Sequence, residues 1–190
     1  MNCSRFTASF FAILLCVFPS PPQTALQQAE SVARSTPLIL EKDQGEKRVR
    51  RPVAGFHPAA STFYLKVDPK NGGSSHLVMG IEEINSGGAI AMHKHLAQDE
   101  ILYLENGSAR VTLGDREQDV HGGATIFIPQ NTWISLRNIG PESIRLVFVF
   151  SSLGYESYMR CTSVPFGQPV APMSPKERSD CMAPGDVMYK

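Results

Sequence analysis

Two histidines one residue apart, with a glutamate shortly after them, are the side chains of this sequence best suited to metal chemistry. His93 and His95 flank Lys94, and Glu100 follows five residues after His95. Side chains alternate between the two faces of a β-strand, so a strand here would place both imidazoles on one face. Two imidazoles and a carboxylate suit Fe(II), Mn(II), Ni(II), Cu(II) or Zn(II), with positions left open for water or substrate. Taken alone, the short pattern also fits two surface histidines on an edge strand.

The strands that must position these residues are indicated by short apolar runs between Phe63 and Ser151, separated by Gly, Asn and Asp. The pattern is typical of an all-β sandwich or barrel, and about ten strands with tight turns favour a double-sheet jelly roll. We expect strands at Thr62–Val67, His76–Ile84, Ala89–His95, Glu100–Glu105, Ala109–Leu113, Glu117–Val120, Thr125–Ile128, Trp133–Asn138 and Ile144–Phe150. The reversal before Glu100 lets its carboxylate return to the two imidazoles.

The residues around the histidines follow a spacing that resembles the first motif of the cupin family. The pattern runs from Gly87 through His93, His95 and Glu100 to Gly107, and every fixed position of the motif is matched. The resemblance implies a small β-barrel, a double-stranded β-helix, with a metal ion in its mouth. It also implies that these two histidines and the glutamate are metal ligands.

The second cupin motif is matched less completely. Gly123, Pro129 and Asn138 stand at their expected positions, and Asn131 replaces a turn glycine. Asparagine accepts a positive φ better than other non-glycine residues do, so this change is tolerable. Ile134 stands where the family's fourth metal ligand, a histidine, is expected. The resemblance therefore implies three metal ligands in this chain rather than the four of the family pattern. With one ligand fewer, we expect the site to bind metal more weakly.

Two functions from different classes are compatible with this resemblance. In the first, the protein is a metal-dependent enzyme of the dioxygenase, isomerase or decarboxylase type that acts on a small oxygen-bearing substrate, with Glu100 as a candidate base. In the alternative, the barrel is a non-catalytic module that binds a sugar or another small ligand, with no ion or only a structural one. The complete first motif favours the enzyme, and Ile134 favours the binding module.

The interior of the predicted barrel is apolar apart from the candidate ligands. Strand alternation places a set of aliphatic side chains on the same face as the histidines. An ordinary filled barrel core would account for most of them equally well. These residues are Ala89, Ala91, Leu102, Leu104, Ile126, Ile128, Ile134 and Leu136.

The N-terminal segment has the layout of an export signal. Arg5 precedes an uninterrupted apolar run, Phe10–Phe18, and prolines follow it. The run is too short to cross a hydrocarbon core, which needs about 20 residues, so no membrane span is expected. A buried core helix is the competing interpretation. We expect a signal peptide over residues 1–25, a polar arm over 26–55 and a barrel over 56–152.

The C-terminal segment, residues 153–190, is richer in Pro and Met than the barrel. Ser174 to Glu177 forms a capping-box pattern with proline at the first helical position, which predicts a short helix toward Cys181. After removal of the signal, Cys161 and Cys181 are the remaining cysteines, and an exporting compartment permits a disulfide between them. Two buried free thiols are the alternative.

Composition limits the partners of the protein. The chain has 190 residues, with 18 basic and 18 acidic side chains and 42% hydrophobic residues. This length suits one or at most two globular domains, and the hydrophobic content excludes a disordered chain. The absence of a long basic block argues against nucleic acid. A jelly roll leaves strand edges open, and many cupins pair, so we expect a homodimer that binds a small molecule.

Overall fold

A computed structural model describes residues 35–53 and 61–190 of the protein. Twelve strands, two helices and two 3-10 turns occur in these two ranges. They are β1 (Glu46–Arg50), β2 (Thr62–Val67), β3 (Val78–Ile84), β4 (Ala89–His95), β5 (Glu100–Asn106), β6 (Ser108–Leu113), β7 (Arg116–His121), β8 (Thr125–Ile128), β9 (Ile134–Asn138), β10 (Ile144–Phe150), α1 (Tyr155–Cys161), β11 (Ser163–Pro165), α2 (Pro175–Met182) and β12 (Val187–Tyr189), with 3-10 turns at Pro69–Asn71 and Ala183–Gly185.

The strands form two antiparallel sheets, which confirms the predicted all-β jelly roll. The larger sheet has the order β11-β1-β2-β3-β10-β5-β8, and the smaller sheet has the order β12-β4-β9-β6-β7. β2 to β10 match the nine strands named from the sequence, with bounds that differ by at most two residues. Alternating apolar residues and turn signals were sufficient to predict these strands, because both are local features of the chain.

The hydrophobic core lies between the inner faces of the two sheets. β10 is flanked by β3 and β5, and its side chains at Ile144, Leu146, Phe148 and Phe150 are buried in strict alternation. These residues belong to one buried cluster with Leu136 of the smaller sheet. Burying an apolar side chain of this size contributes about 1.5–3 kcal/mol, so the period-two pattern fixes which face of each strand turns inward.

The polar segment that we expected to be an exposed arm contains β1, which corrects that prediction. β1 lies between β2 and β11 in the larger sheet. Its buried Arg48 donates to Oγ of Ser163 at 2.6 Å and pairs with Glu46 at 2.7 Å. Burial alone raises the pKa of Glu46, but hydrogen bonds from Arg160 and Arg48 outweigh it and lower the pKa to about 2. The apolar pattern of the sequence did not predict β1, because the buried side chain of this strand is Arg48, whose charge is paired with Glu46.

The C-terminal segment folds back onto the barrel and is pinned by a disulfide. Cys161 in α1 and Cys181 in α2 are bonded, with their Cα atoms 5.8 Å apart. α2 begins after Ser174 with the expected capping box, in which Glu177 N donates to the Ser174 hydroxyl. The short helix and the disulfide are therefore confirmed. α1 and β12 were not predicted, since each is short and neither has a clear apolar period.

The predicted signal peptide lies outside the described residues. In the two ranges that the structure describes, no helix is long and apolar enough to span a bilayer.

Candidate metal centre

The candidate ligands lie on β4 and at the start of β5. His93 and His95 are both buried on the inner face of β4. Lys94, between them, points to the other side, where its ammonium lies 5.3 Å from the centre of the Trp133 ring. Glu100 is the first residue of β5 and is also buried. The prediction from strand alternation that both imidazoles lie on one face of β4 is therefore confirmed.

The reversal between β4 and β5 is held by hydrogen bonds to neighbouring segments. Gln98 is buried and its Nε2 donates to the carbonyl oxygens of Ser152 and Leu153 at 2.9 and 2.6 Å. Asp99 accepts the backbone N–H of Gln130 at 3.0 Å. These contacts fix the chain immediately before Glu100, so the carboxylate returns to the histidines in one orientation.

Asn131 anchors the end of the strand that carries the histidines. Its φ is 62°, the left-handed conformation expected when asparagine replaces a turn glycine. Its backbone N–H donates to the carbonyl of His95 at 2.6 Å, and its side chain donates to the carbonyl of Leu96 at 3.1 Å. The departure from glycine therefore preserves the turn and adds a side-chain hydrogen bond.

The three candidate ligands converge. One donor atom from each of His93, His95 and Glu100 can be chosen so that all lie within 4.8 Å of one another. The three residues are only 4%, 1% and 5% exposed. Nε2 of His95 lies 3.5 Å from Oε2 of Glu100. Two imidazoles and one carboxylate form a donor set that divalent transition metals accept.

His93 is oriented and neutral. Its Nδ1 lies 2.8 Å from the carbonyl oxygen of Ala91. A carbonyl only accepts, so Nδ1 carries the proton and Nε2 keeps its lone pair. Burial, together with the nearby His95 and Arg50, lowers the pKa of His93 to about 3. The imidazole is therefore uncharged near neutral pH, as a metal ligand must be.

Three polar atoms of the cluster have no hydrogen-bond partner among the described residues. They are Nδ1 and Nε2 of His95 and Oε2 of Glu100, all fully buried. An unsatisfied buried polar atom costs about 1–3 kcal/mol. A cation bound between the imidazoles and the carboxylate would satisfy Oε2 and one ring nitrogen. The chemistry and burial of these residues therefore fit a divalent ion.

Aromatic rings surround the two imidazoles. The ring of His95 lies 4.6 Å from that of Tyr155, edge to face, and 4.9 Å from that of Phe150. The ring of Tyr189 stacks on His93 at 5.4 Å. Tyr155 and Tyr189 come from the C-terminal segment, where sequence reasoning found no site residue. β12 pairs with β4 so that Tyr189 stands opposite His93, a long-range register that no local pattern signals.

Residues 80–150 match the family model described as Cupin domain. Together with the jelly roll and the site geometry, this match identifies a cupin domain. Residues 80–150 of the chain belong to the cupin superfamily.

Two solved structures share the fold of this cupin. A predicted oxalate decarboxylase from Thermotoga maritima is 14% identical with a TM-score of 0.54, over 61% of this chain and 100% of that one. A sugar phosphate isomerase from Silicibacter pomeroyi is 15% identical with a TM-score of 0.51, over 62% and 77% of the two chains. Identities this low show a common fold alone.

A curated relative matches a shorter part of the chain. An uncharacterized protein from Methanocaldococcus jannaschii is 33% identical over 61 residues, which are 32% of this chain and 49% of the relative. The match thus spans about half the length of that protein.

Ile134 occupies the position of the fourth cupin ligand and lies on the inner face. It stands directly opposite His93 in the register of β4 and β9 and is 1% exposed. Together with His93 and Glu100 it lines an inner cavity of about 20 Å³. This volume holds about one water molecule or one ion. The side chain of Ile134 therefore closes the site with hydrocarbon instead of a nitrogen ligand.

The inner face differs from the prediction at the start of β4. Ala89 and Ala91 are only partly buried, and Ile90 packs against the core and lines the inner cavity. The register between β4 and β9 shifts between Ile90 and His93, and such an irregularity interrupts the alternation of side chains. The other six aliphatic residues of the predicted inner face are buried.

A buried ion pair borders the inner cavity. Glu82 receives two hydrogen bonds from Arg50, at 2.7 and 2.9 Å, and one from the Ser61 hydroxyl at 2.8 Å. Burial alone raises the pKa of Glu82, but the charge and hydrogen bonds of Arg50 outweigh it and hold the pKa below its usual range. The carboxylate of Glu82 is thus paired with Arg50 and is not counted among the candidate metal ligands, although Glu82 lines the same cavity as His93.

The other two histidines in the described ranges, His76 and His121, are not part of the cluster. His121 is exposed and its Nδ1 lies 2.9 Å from the hydroxyl of Ser108. His76 is exposed, and His57 lies outside the described residues. The position of His121 away from the site agrees with the sequence analysis.

Replacing Ile134 by histidine should restore a fourth ligand. Because Ile134 faces His93 across the strand pair, Ile134→His is expected to tighten zinc binding by at least about tenfold, or 1.4 kcal/mol. Competition with a chromogenic chelator measures the change. Glu100→Gln in the same background should remove much of the gain.

Ser135→His is the matched control, since Ser135 adjoins Ile134 on β9 and strand alternation points it to the opposite face. It should leave zinc affinity unchanged. A folded Ile134→His protein with wild-type zinc affinity would show that position 134 does not face the ligands.

Proposed function

We propose that this cupin binds a divalent metal ion, Fe, Mn, Ni, Cu or Zn, through His93, His95 and Glu100 and acts on a small oxygen-bearing molecule. The observation that carries the proposal is the convergence of the three residues together with the buried ring nitrogens of His95 and Oε2 of Glu100, which have no hydrogen-bond partner among the described residues. Leaving them unsatisfied in an apolar interior would be costly. The complete first cupin motif supports the same assignment.

Each residue of the site has a distinct role in this proposal. His93 presents Nε2, because its Nδ1–H is held by the carbonyl of Ala91. Glu100 supplies negative charge at Oε2 and is the candidate proton acceptor there. Ile134 and the surrounding aliphatic residues exclude water. A bound divalent ion supplies Lewis-acid polarisation of a ligand oxygen or activates a water molecule.

The alternative is a non-catalytic module that binds a sugar or another small ligand. Two observations favour it. Ile134 removes one ligand of the family pattern, and the inner cavity of about 20 Å³ leaves little room for an organic substrate beside an ion. In this alternative the ion is structural or absent, and ligand binding does not depend on it.

The proposal includes export and pairing of two copies. The disulfide between Cys161 and Cys181 supports an oxidising compartment. Ile101, Tyr103 and Phe127 are large apolar residues, 42%, 42% and 56% exposed, on the paired strands β5 and β8. β8 is an edge strand of the larger sheet. Adjacent exposed apolar residues on an edge are typical of an association surface.

Metal dependence tests the proposed function directly. Zinc or manganese should raise the melting temperature of the mature protein, because an ion that binds only the folded state stabilises it by about 2.7 kcal/mol at a hundredfold excess over Kd. His93→Ala should abolish this shift. His121→Ala, which removes an exposed histidine, should retain it. Equal shifts in the two variants, or none in the wild type, would contradict the metal site.

Expression of the full chain in an exporting host tests export and pairing together. The mature protein is expected to begin after residue 25 and to elute as a dimer in sizing experiments. An uncleaved N-terminus would contradict the signal peptide. A monomer at high micromolar concentration would contradict the homodimer.

A further inference from the structure

The outer face of the larger sheet carries a groove of about 520 Å³. Met79 and Ile81 of β3 form part of its floor. They alternate along the strand with Val78 and Gly80, and Val78 belongs to the core between the sheets. The groove therefore opens on the side of the sheet opposite to the core. Its volume lies in the range of small-molecule sites, about 300–1,000 Å³.

An extended segment that precedes β1 forms one wall of the groove through Leu38 and Leu40. At one end of this segment, the backbone N–H of Thr36 donates to the carbonyl oxygen of Gly72 at 2.7 Å. At its other end, the side chain of Lys66 on β2 donates to two backbone carbonyl oxygens of the segment. The wall is therefore attached to the rest of the protein at two points.

Aliphatic side chains make up most of the groove lining, namely Leu38, Leu40, Val67, Met79 and Ile81. Leu38 is 39% exposed, and Ile81 is buried although it lies outside the core cluster. Each CH₂ group of a ligand that is buried against such a surface contributes about 0.8 kcal/mol. A hydrocarbon chain is therefore a suitable occupant for most of the groove.

Lys66 is the polar group of the lining that a ligand is best placed to satisfy. It is only 5% exposed, and its ammonium has three N–H donors. Nζ donates to the carbonyl oxygens of Glu41 at 2.6 Å and Lys42 at 2.8 Å. Among the residues that the structure describes, no acidic side chain forms an ion pair with it. Buried charges in proteins are normally paired, so the third donor favours an anion.

The surroundings of Lys66 leave its charge poorly compensated. Burial lowers the pKa of Lys66, and the charge of Arg145 lowers it further. Asp43 and Glu41 act in the opposite direction and more weakly. An anion beside the ammonium would offset the effects of burial and of Arg145.

The other two cations that line the groove have less need of an anion. Arg145 lies 2.8 Å from Glu83 and 2.8 Å from Glu105, so its charge is already neutralised. Lys42 is exposed and is therefore hydrated. The position of an anionic group in the groove is thus set by Lys66.

We propose that this groove is a ligand site for a small amphipathic carboxylate, such as a medium-chain fatty acid. The carboxylate accepts the remaining N–H of Lys66. The hydrocarbon chain lies between the wall formed by Leu38 and Leu40 and the floor formed by Met79 and Ile81. The groove shares no lining residue with the inner cavity beside the candidate metal ligands, so this site goes beyond the proposed function and does not depend on it.

Octanoate, octanamide and acetate test the proposal, because they separate the contribution of the head group from that of the chain. NMR titration should show octanoate binding at least about tenfold more tightly than octanamide, as expected for a charge-assisted hydrogen bond. Octanoate should also bind at least about tenfold more tightly than acetate, which lacks the methylene groups. Higher sodium chloride should weaken octanoate binding more than octanamide binding. Equal affinities for octanoate and octanamide would overturn the proposal.

A substitution of Lys66 tests the head-group contact. Lys66→Met removes the charge and keeps much of the length of the side chain, so it should lower octanoate affinity to that of octanamide. Lys176→Met is the matched control, since Lys176 is exposed on α2 and does not line the groove. It should leave both affinities unchanged. A folded Lys66→Met protein that still prefers octanoate would overturn the proposal.

A substitution in the wall tests the chain contact and decides the question if Lys66→Met does not fold. Leu38→Ser should weaken octanoate and octanamide binding to a similar degree, because it removes apolar surface and leaves the ammonium in place. Leu153→Ser changes a leucine of nearly equal exposure, 38% against 39%, outside the groove and should affect neither ligand. Unchanged octanoate binding in Leu38→Ser would contradict the proposed position of the chain.

A second copy of the chain is the competing occupant, because the proposed pairing surface on β5 and β8 belongs to the same sheet. If a second copy covers the groove, octanoate should not shift the NMR signals of Met79 and Ile81 in the dimer, and that result would overturn the proposal. Octanoate binding should persist in His93→Ala even though zinc binding is lost there. Loss of octanoate binding in His93→Ala would show that the groove is not a separate site.

Discussion

The central constraint in this protein is the burial of three ligand groups in an apolar barrel. His93, His95 and Glu100 are almost fully buried, and among the described residues the ring nitrogens of His95 and Oε2 of Glu100 have no hydrogen-bond partner. A protein interior tolerates such atoms only when something satisfies them. The strand register, the turn at Asn131 and the hydrogen bonds around Gln98 all hold the three groups toward one point. The proposed divalent ion would account for the occurrence of these features together.

The C-terminal segment completes the site that the barrel strands begin. β12 covers the free side of β4, and Tyr155 and Tyr189 pack on the imidazoles. The disulfide ties together the two helices that carry Tyr155 and Arg178. The inner cavity of about 20 Å³ beside the candidate ligands adjoins a second pocket of about 80 Å³, and Tyr155 lines both.

The sequence was sufficient for the parts of the structure that depend on local periodicity. The spacing of His93 and His95, the strands β2 to β10 and the positive φ of Asn131 all follow from short-range patterns. β1 was missed because its buried residue is the ion-paired Arg48. Tyr189 was missed because its place opposite His93 depends on long-range pairing. The register shift after Ile90 moved Ala89 and Ala91 from the inner face, and no residue type marks that shift.

X-ray absorption spectroscopy of the zinc-loaded protein tests the central claim most directly, because it reports the atoms bound to the ion. The structure predicts two imidazole nitrogens and at least one carboxylate oxygen at about 2.0–2.2 Å from zinc. In His93→Ala the imidazole contribution should fall to one ring. A spectrum with only oxygen neighbours, unchanged in His93→Ala, would contradict a metal centre built from His93, His95 and Glu100.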